Sequence, residues 1–215
     1  VALGVTQAAL SRYLNRKYGD PEKDNLPKNI RLRSTLLVNI RPVSGIQALA
    51  DMMEKDKEAR WGNWFGYVVL PFTIGLRKDP LDYVRQAKAT VDRKKRSLEA
   101  IWTFSIAQIV LKLFGIKASS AMLHGIIANT TLCFSNLVGP LEEIGLHGHE
   151  LLYLAPSAFN QPNALMINIL GYVNKMTVVL SFEEETIPDA RQLLDDIVDC
   201  LKLIKDEVVA NGLAS

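Results

Sequence analysis

Residues 164–182 read ALMINILGYVNKMTVVLSF and consist of two apolar segments separated by a short polar interval. The segments 164–170 and 175–182 are rich in the aliphatic and β-branched residues that favour strands. Residues 171–174 between them contain a glycine and an asparagine, which tolerate the backbone angles of tight turns. The stretch therefore predicts a β-hairpin near the end of the chain.

The residues after this hairpin predict an amphipathic helix. Asp189 is placed as its N-cap, with Gln192 three residues later as the partner in a capping box. The apolar face recurs at helical spacing; it comprises Leu194, Ile197, Val198, Leu201, Ile204 and Val208.

Upstream, the sequence predicts further strands and helices without a regular βαβ alternation. Strands are expected at 31–41, 66–72, 131–137 and 151–154, and helices at 1–18, from Asp79-Pro80 onward, and at 98–116. This order predicts a mixed-sheet α/β (α+β) sandwich rather than a Rossmann fold, with residues 1–215 forming one unit. The helical start at Val1, without a methionine, indicates a fragment.

Composition limits the kinds of molecule that the protein is expected to bind. The net charge of +2 implies no nucleic-acid partner, and Arg93-Lys94-Lys95-Arg96 is interpreted as a solvated helix face. Cys133 and Cys200 lack metal or redox spacing and are expected to be buried thiols. The apolar residues 64–76 and 101–116 are predicted as core strand and core helix, although either could enter a membrane surface.

No residue pattern identifies a catalytic group or a metal site. His124 is expected to be packed, and His147 and His149 to lie in a solvent-facing turn without a third ligand. Ser135, Asn136, Gly139 and Pro140 end a predicted strand. This pattern fits equally a structural turn or an active-site edge where a polar amide faces a substrate.

Five separated blocks resemble the plant wax ester synthase/diacylglycerol acyltransferase family. In chain order they are LPKNIRLRSTLLVNIRP, WGNWFGYVVLPF, DPLDYVRQAKATVDRKKRSLEA, FSNLVGP and YVNKMTVVLSFEEETIPD. The resemblance covers nearly the whole chain but only the C-terminal half of the family's protein. It implies the C-terminal lobe of a chloramphenicol-acetyltransferase-like fold, with the N-terminal catalytic lobe missing.

The resemblance implies an acyl-CoA-dependent O-acyltransferase. The substrates would be acyl-CoA, as co-substrate without any cofactor, and a fatty alcohol or diacylglycerol. The family's catalytic His-His-x-x-x-Asp-Gly motif is not found here, so no catalytic residue is assigned. Ser135, Asn136, Gly139 and Pro140 match a family motif and are predicted to bind substrate, with Leu137 and Val138 a mild departure; Asn63 is predicted to line the same channel.

The same resemblance implies the cytoplasmic face of the endoplasmic reticulum membrane as the location. An alternative of another class stays open at this point, namely a complete, non-catalytic module that binds a lipid or a partner protein. The native mass of the protein separates the two, because only the first requires a second lobe.

Overall fold

A five-stranded mixed sheet organises the chain in a computed structural model that describes residues 1–20, 23, 26–27, 30–41, 64–158 and 161–213. The helices are α1 (Ala2–Tyr18), α2 (Leu81–Arg96), α3 (Glu99–Ala128) and α4 (Ala190–Ala210). The strands are β1 (Leu32–Asn39), β2 (Phe65–Phe72), β3 (Leu132–Val138), β4 (Gly145–Leu146), β5 (His149–Glu150), β6 (Leu165–Tyr172) and β7 (Lys175–Phe182).

The large sheet has the strand order β2-β1-β3-β6-β7. β1 pairs antiparallel with β2 and parallel with β3, while β3 pairs parallel with β6. β6 and β7 form the predicted hairpin, in antiparallel register from Leu165–Phe182 to Tyr172–Lys175. The mixed-sheet α/β prediction is confirmed.

One face of the sheet carries the main hydrophobic core. Leu132 and Phe134 of β3 point to the same face of the strand and join Ile167 of β6 in this core. Leu193 of α4 is completely buried in the same cluster. Cys133 and Cys200 are both buried free thiols, as predicted. Burial raises the pKa of the Cys200 thiol to about 11, so this thiol is protonated at neutral pH.

Helix α4 begins where the sequence predicts, but the prediction of a capping box is wrong. The carboxylate of Asp189 makes no cap hydrogen bond and instead accepts one from the Tyr13 hydroxyl of α1 at 2.7 Å. The buried face is also rotated relative to the prediction, because Leu193 is buried whereas Val198 is half exposed. Docking against α1 decides both features.

Helix α3 contradicts the prediction of a core helix at 101–116. It continues to Ala128, and Ala100 is its only buried residue. His124 is exposed on this helix, so its predicted packing is wrong. In the described part of the chain, α3 is the one helix long and apolar enough to cross a membrane, judged by length and composition alone.

The predicted strand at 151–154 is also wrong. These residues form no ladder within the described chain; Leu151 only donates its amide to the carbonyl of Ile144. The short strands β4 and β5 precede them and meet in a tight turn at His147 and Gly148, which have φ angles of 51° and 81°. Both histidines of this hairpin are exposed, as expected.

Candidate functional site

Two parallel strands separate at the centre of the sheet. β1 and β3 are in register only at Ser34–Leu132 and Thr35–Cys133, although both strands continue. Beyond Cys133, β3 stays paired with β6 along its whole length, while β1 follows β2. Among the described residues, the edge of β3 that faces β1 therefore has no partner strand from Phe134 onward, so backbone hydrogen-bonding groups there could contact a ligand.

A cleft of about 480 Å³ lies at this separation. Leu36 and Val38 of β1 line it on one side, and Phe134 and Asn136 of β3 line it on the other. The ring of Phe134 is fixed edge-to-face against Phe72, with centroids 5.9 Å apart. The cleft is thus an apolar slot with one amide side chain in its wall.

Asn136 is exposed and makes no side-chain hydrogen bond with any residue that the structure describes. It lies on the same face of β3 as Leu132 and Phe134, since side chains two apart share a face. Its amide can donate two hydrogen bonds and accept others. The residue is therefore placed to contact a molecule in the cleft.

Ser135 lies on the opposite face of β3. It is half-buried and stands in register with Asn168 of β6, whose side-chain Nδ2 is buried with no hydrogen-bond partner among the described residues. The two halves of the Ser135-Asn136 pair thus face different surroundings. A role for Ser135 in binding substrate remains a prediction.

Gly139 and Pro140 attach the end of β3 to the β6–β7 hairpin. The Gly139 amide donates to the carbonyl of Gly171 at 2.8 Å, and the amide of Val173 donates to the carbonyl of Pro140 at 3.0 Å. A Cβ on residue 139 would lie 2.3 Å from the Gly171 oxygen, closer than van der Waals contact allows. These two residues fix the strand that carries Asn136, and a direct contact with substrate remains a prediction.

Cationic residues stand at the cleft beside its apolar walls. Lys94 and Lys95, at the end of α2, both line it. The Lys94 ammonium pairs with Glu99 Oε2 at 2.6 Å, and Glu99 Oε1 accepts the amide of Val69 at 2.9 Å. Val1 and the first two residues of α1 also line the cleft. Positive charge beside an apolar slot suits an elongated molecule with an anionic part.

No histidine lines this cleft in the described part of the chain, and no described cluster of His, Cys, Asp or Glu could hold a metal ion. The site can therefore bind and orient a molecule, but these residues supply no general base to it. Asn63, the other predicted channel residue, lies outside the described residues.

Sequence reasoning missed the lysines of this site. The prediction of a solvated helix face holds for Arg93, Lys95 and Arg96, which are exposed, but the sequence does not indicate that α2 ends at the cleft and places Lys94 and Lys95 there. The alternation of β3 places Asn136 on its core-facing side, whereas nothing local in the sequence shows that β1 and β3 separate.

Comparison with known proteins gives consistent results. A family model described as the WS/DGAT C-terminal domain matches residues 61–205. Wax ester synthase/diacylglycerol acyltransferase 11 of Arabidopsis thaliana is 50% identical over 216 residues, which cover 99% of this chain and 44% of that protein. Wax ester synthase/diacylglycerol acyltransferase 4 of the same organism is 51% identical over 213 residues, which cover 97% of this chain and 41% of that protein.

A solved structure resembles the fold. The wax ester synthase/diacylglycerol acyltransferase from Marinobacter aquaeolei VT8 superposes with a TM-score of 0.59 at 16% sequence identity. The match covers 95% of this chain and 42% of the bacterial one. The chain thus spans less than half the length of each of these three proteins.

Proposed function

The chain belongs to the wax ester synthase/diacylglycerol acyltransferase family, and from that premise we propose that it forms one half of an acyl-CoA-dependent O-acyltransferase. The whole enzyme would transfer a long-chain acyl group to a fatty alcohol or a diacylglycerol. Residues 1–215 would be its C-terminal lobe, and the catalytic base would come from the N-terminal lobe. No cofactor is required, because acyl-CoA already carries an activated thioester.

The observation that carries this proposal is the cleft between β1 and β3. Its walls are apolar, the exposed Lys95 suits a phosphorylated molecule, and Asn136 is exposed within it. An acyl-CoA combines these chemistries in one molecule, with an alkyl chain, amides and phosphates. Apolar burial at about 25 cal/mol per Å² would supply most of the affinity for the alkyl part.

The proposed reaction divides the work between the two lobes. A base on the other lobe takes the proton of the acceptor hydroxyl, and that oxygen attacks the thioester carbonyl. The C–S bond then breaks, and CoA leaves as a thiol after receiving a proton. The Asn136 amide would position the acyl group and donate a hydrogen bond as negative charge develops on the carbonyl oxygen.

The lipid substrates also support a location at a membrane. An alcohol or diacylglycerol with long chains partitions into the bilayer, so the enzyme must meet it at the surface. We place this surface at the cytoplasmic face of the endoplasmic reticulum. The exposed apolar residues of α3 are consistent with contact between this lobe and lipid.

Substitution of Asn136 tests the proposal in the full-length protein that contains this chain. Asn136→Ala is expected to lower kcat/KM by about 100-fold, the typical effect of removing one donor to a developing oxyanion. Gln192→Ala, which removes an exposed amide from the first turn of α4, is the matched control and should keep full activity. Equal activities of the two variants would contradict the role of Asn136.

The 215-residue chain by itself provides a second test. Without the other lobe it should release no CoA from an acyl-CoA and a fatty alcohol, because the described part of the cleft has no base. Calorimetry should nevertheless detect binding of a non-hydrolysable acyl-CoA analogue. Turnover by this chain alone would show that the division of work between lobes is wrong.

A further inference from the structure

Helix α3 carries many large apolar side chains that are exposed rather than buried in the core. Ile101 is 53% exposed, Leu113 is 70% exposed and Ile116 is 75% exposed. Within the 18-residue window that gives α3 its apolar character, no residue is buried. A surface of this kind marks a site of contact with a partner protein or a membrane.

The exposed side chains are distributed around α3 rather than along one stripe. At about 100° per residue, Ile101, Ile106 and Phe114 lie at roughly 0°, 140° and 220° around the axis. A protein groove covers one side of a helix, whereas hydrocarbon surrounds it. The distribution therefore favours lipid over a protein partner.

A group of basic residues directly precedes the helix. Arg93, Lys94, Lys95 and Arg96 form the last turn of α2, and α3 begins at Glu99. Lys94 is paired with Glu99, whereas Arg93, Lys95 and Arg96 are exposed. Basic clusters beside an apolar helix are the charge pattern that attracts anionic headgroups.

The fold contacts α3 at its beginning and again at its last turn. Thr103 Oγ1 accepts the amide of Tyr67 at 3.1 Å, and the Ala100 carbonyl lies against Gly66, where a Cβ would be 1.9 Å from it. Further along, Gly115 has φ 77° and ψ −179°, which interrupts the helix. At the other end, the Ile127 carbonyl accepts a hydrogen bond from the Asn163 side chain at 3.0 Å. The fold thus holds both ends of α3, and the large apolar side chains between them are exposed.

We propose that α3 inserts into one leaflet of a bilayer that contains anionic lipids, with Arg93 and Arg96 on the headgroups. The part before Gly115 has about 16 residues and a length of roughly 24 Å, less than the hydrocarbon core of about 30 Å. It therefore enters the membrane without crossing it. This inference rests on the proposed lipid substrates, since it places the lobe at the membrane that holds them.

Flotation of the 215-residue chain with vesicles tests the proposal. The chain should float with phosphatidylcholine vesicles that contain phosphatidylserine, and an Ile109→Glu/Phe114→Glu variant should lose at least about 10-fold of this binding. Val209→Glu/Leu213→Glu is the matched control, since both are exposed apolar residues, one in the last turn of α4 and one just after the helix. It should bind as the unchanged chain does.

A second variant separates the headgroup contribution. Arg93→Gln/Arg96→Gln should lose about 10- to 100-fold of binding to anionic vesicles, with little change on phosphatidylcholine alone. Loss in both kinds of vesicle to the same extent would contradict the headgroup role. Circular dichroism of each variant confirms that it is folded.

Two outcomes would overturn the proposal. One is equal flotation of the α3 variant and the α4 control. The other is a dimer, seen by light scattering, that the α3 substitutions convert to a monomer while no form binds vesicles, since a second copy would then cover α3. In the full-length protein, turnover of detergent-dispersed substrates tests the acyltransferase separately, so a failure of either proposal is recognised by itself.

Discussion

Helices α3 and α4 are the two longest helices that the structure describes, and they differ in how far they are buried. α4 buries one face against the sheet and α1, and Leu193 is 0% exposed there. α3 is richer in apolar residues, yet Ala100 is its only buried one. Of these two helices, the one with an amphipathic pattern packs in the core, whereas the one with the higher apolar content does not.

The difference has a physical cause. A helix with one apolar stripe can complete a layer on a sheet and keep its other face in water. A helix that is apolar on all sides would leave part of its apolar surface in water if it packed against only one layer. α3 therefore contacts β2 near its beginning and Asn163 at its end, and the large apolar side chains between these contacts are exposed.

Equivalent truncations on the two helices should give the largest contrast. Leu193→Ala is expected to lower the free energy of unfolding by about 2–5 kcal/mol, since it leaves a cavity in the core. Ile109→Ala on α3 should change it by less than about 0.5 kcal/mol, because Ile109 is 55% exposed. Urea unfolding measures both, and similar losses would mean that α3 is covered in solution.

Two glycines next test how α3 is attached. Gly66→Ala should cost about 1–3 kcal/mol, because its Cβ would overlap the Ala100 carbonyl and push α3 from β2. Gly125→Ala, within α3 and with no atom within 4 Å of the new methyl, should stabilise the helix by up to about 1 kcal/mol. The opposite order of the two midpoints in urea would refute this picture of the attachment.

The polar contact between α1 and α4 should give the smallest effect. Tyr13→Phe removes the hydroxyl that donates to Asp189 and is expected to cost about 1 kcal/mol. Tyr18→Phe, at a 67% exposed position of the same helix, is the control and should be neutral. Thermal unfolding of both variants checks this, and a neutral Tyr13→Phe would show that packing alone docks α4.

The sequence predicted much of the regular structure from local patterns. The hairpin of β6 and β7 follows from two apolar segments around Gly171–Asn174, and β1 and β2 from similar segments. The strand prediction is wrong at residues 151–154, which are apolar but have no partner strand in the described chain. Whether an apolar segment becomes a strand depends on what lies beside it, and a local window does not contain that information.

For the candidate site, the sequence identified Asn136 but not its surroundings. The motif and the alternation of β3 place this amide on the core-facing side. The position of Lys94 and Lys95 beside it depends on how α2 packs against the sheet. Gly139, whose motif fits equally a turn and an active-site edge, is required by its contact with the Gly171 carbonyl.

The amino-acid sequence by itself determined the mixed α/β class, the hairpin, the amphipathic α4 and the family, because each depends on residues close together or on ordered motifs. Only the tertiary structure decided that β1 and β3 separate to open a cleft and that α3 lies outside the core. Both depend on which surfaces the packed elements leave uncovered, a property of the whole arrangement that no single segment encodes.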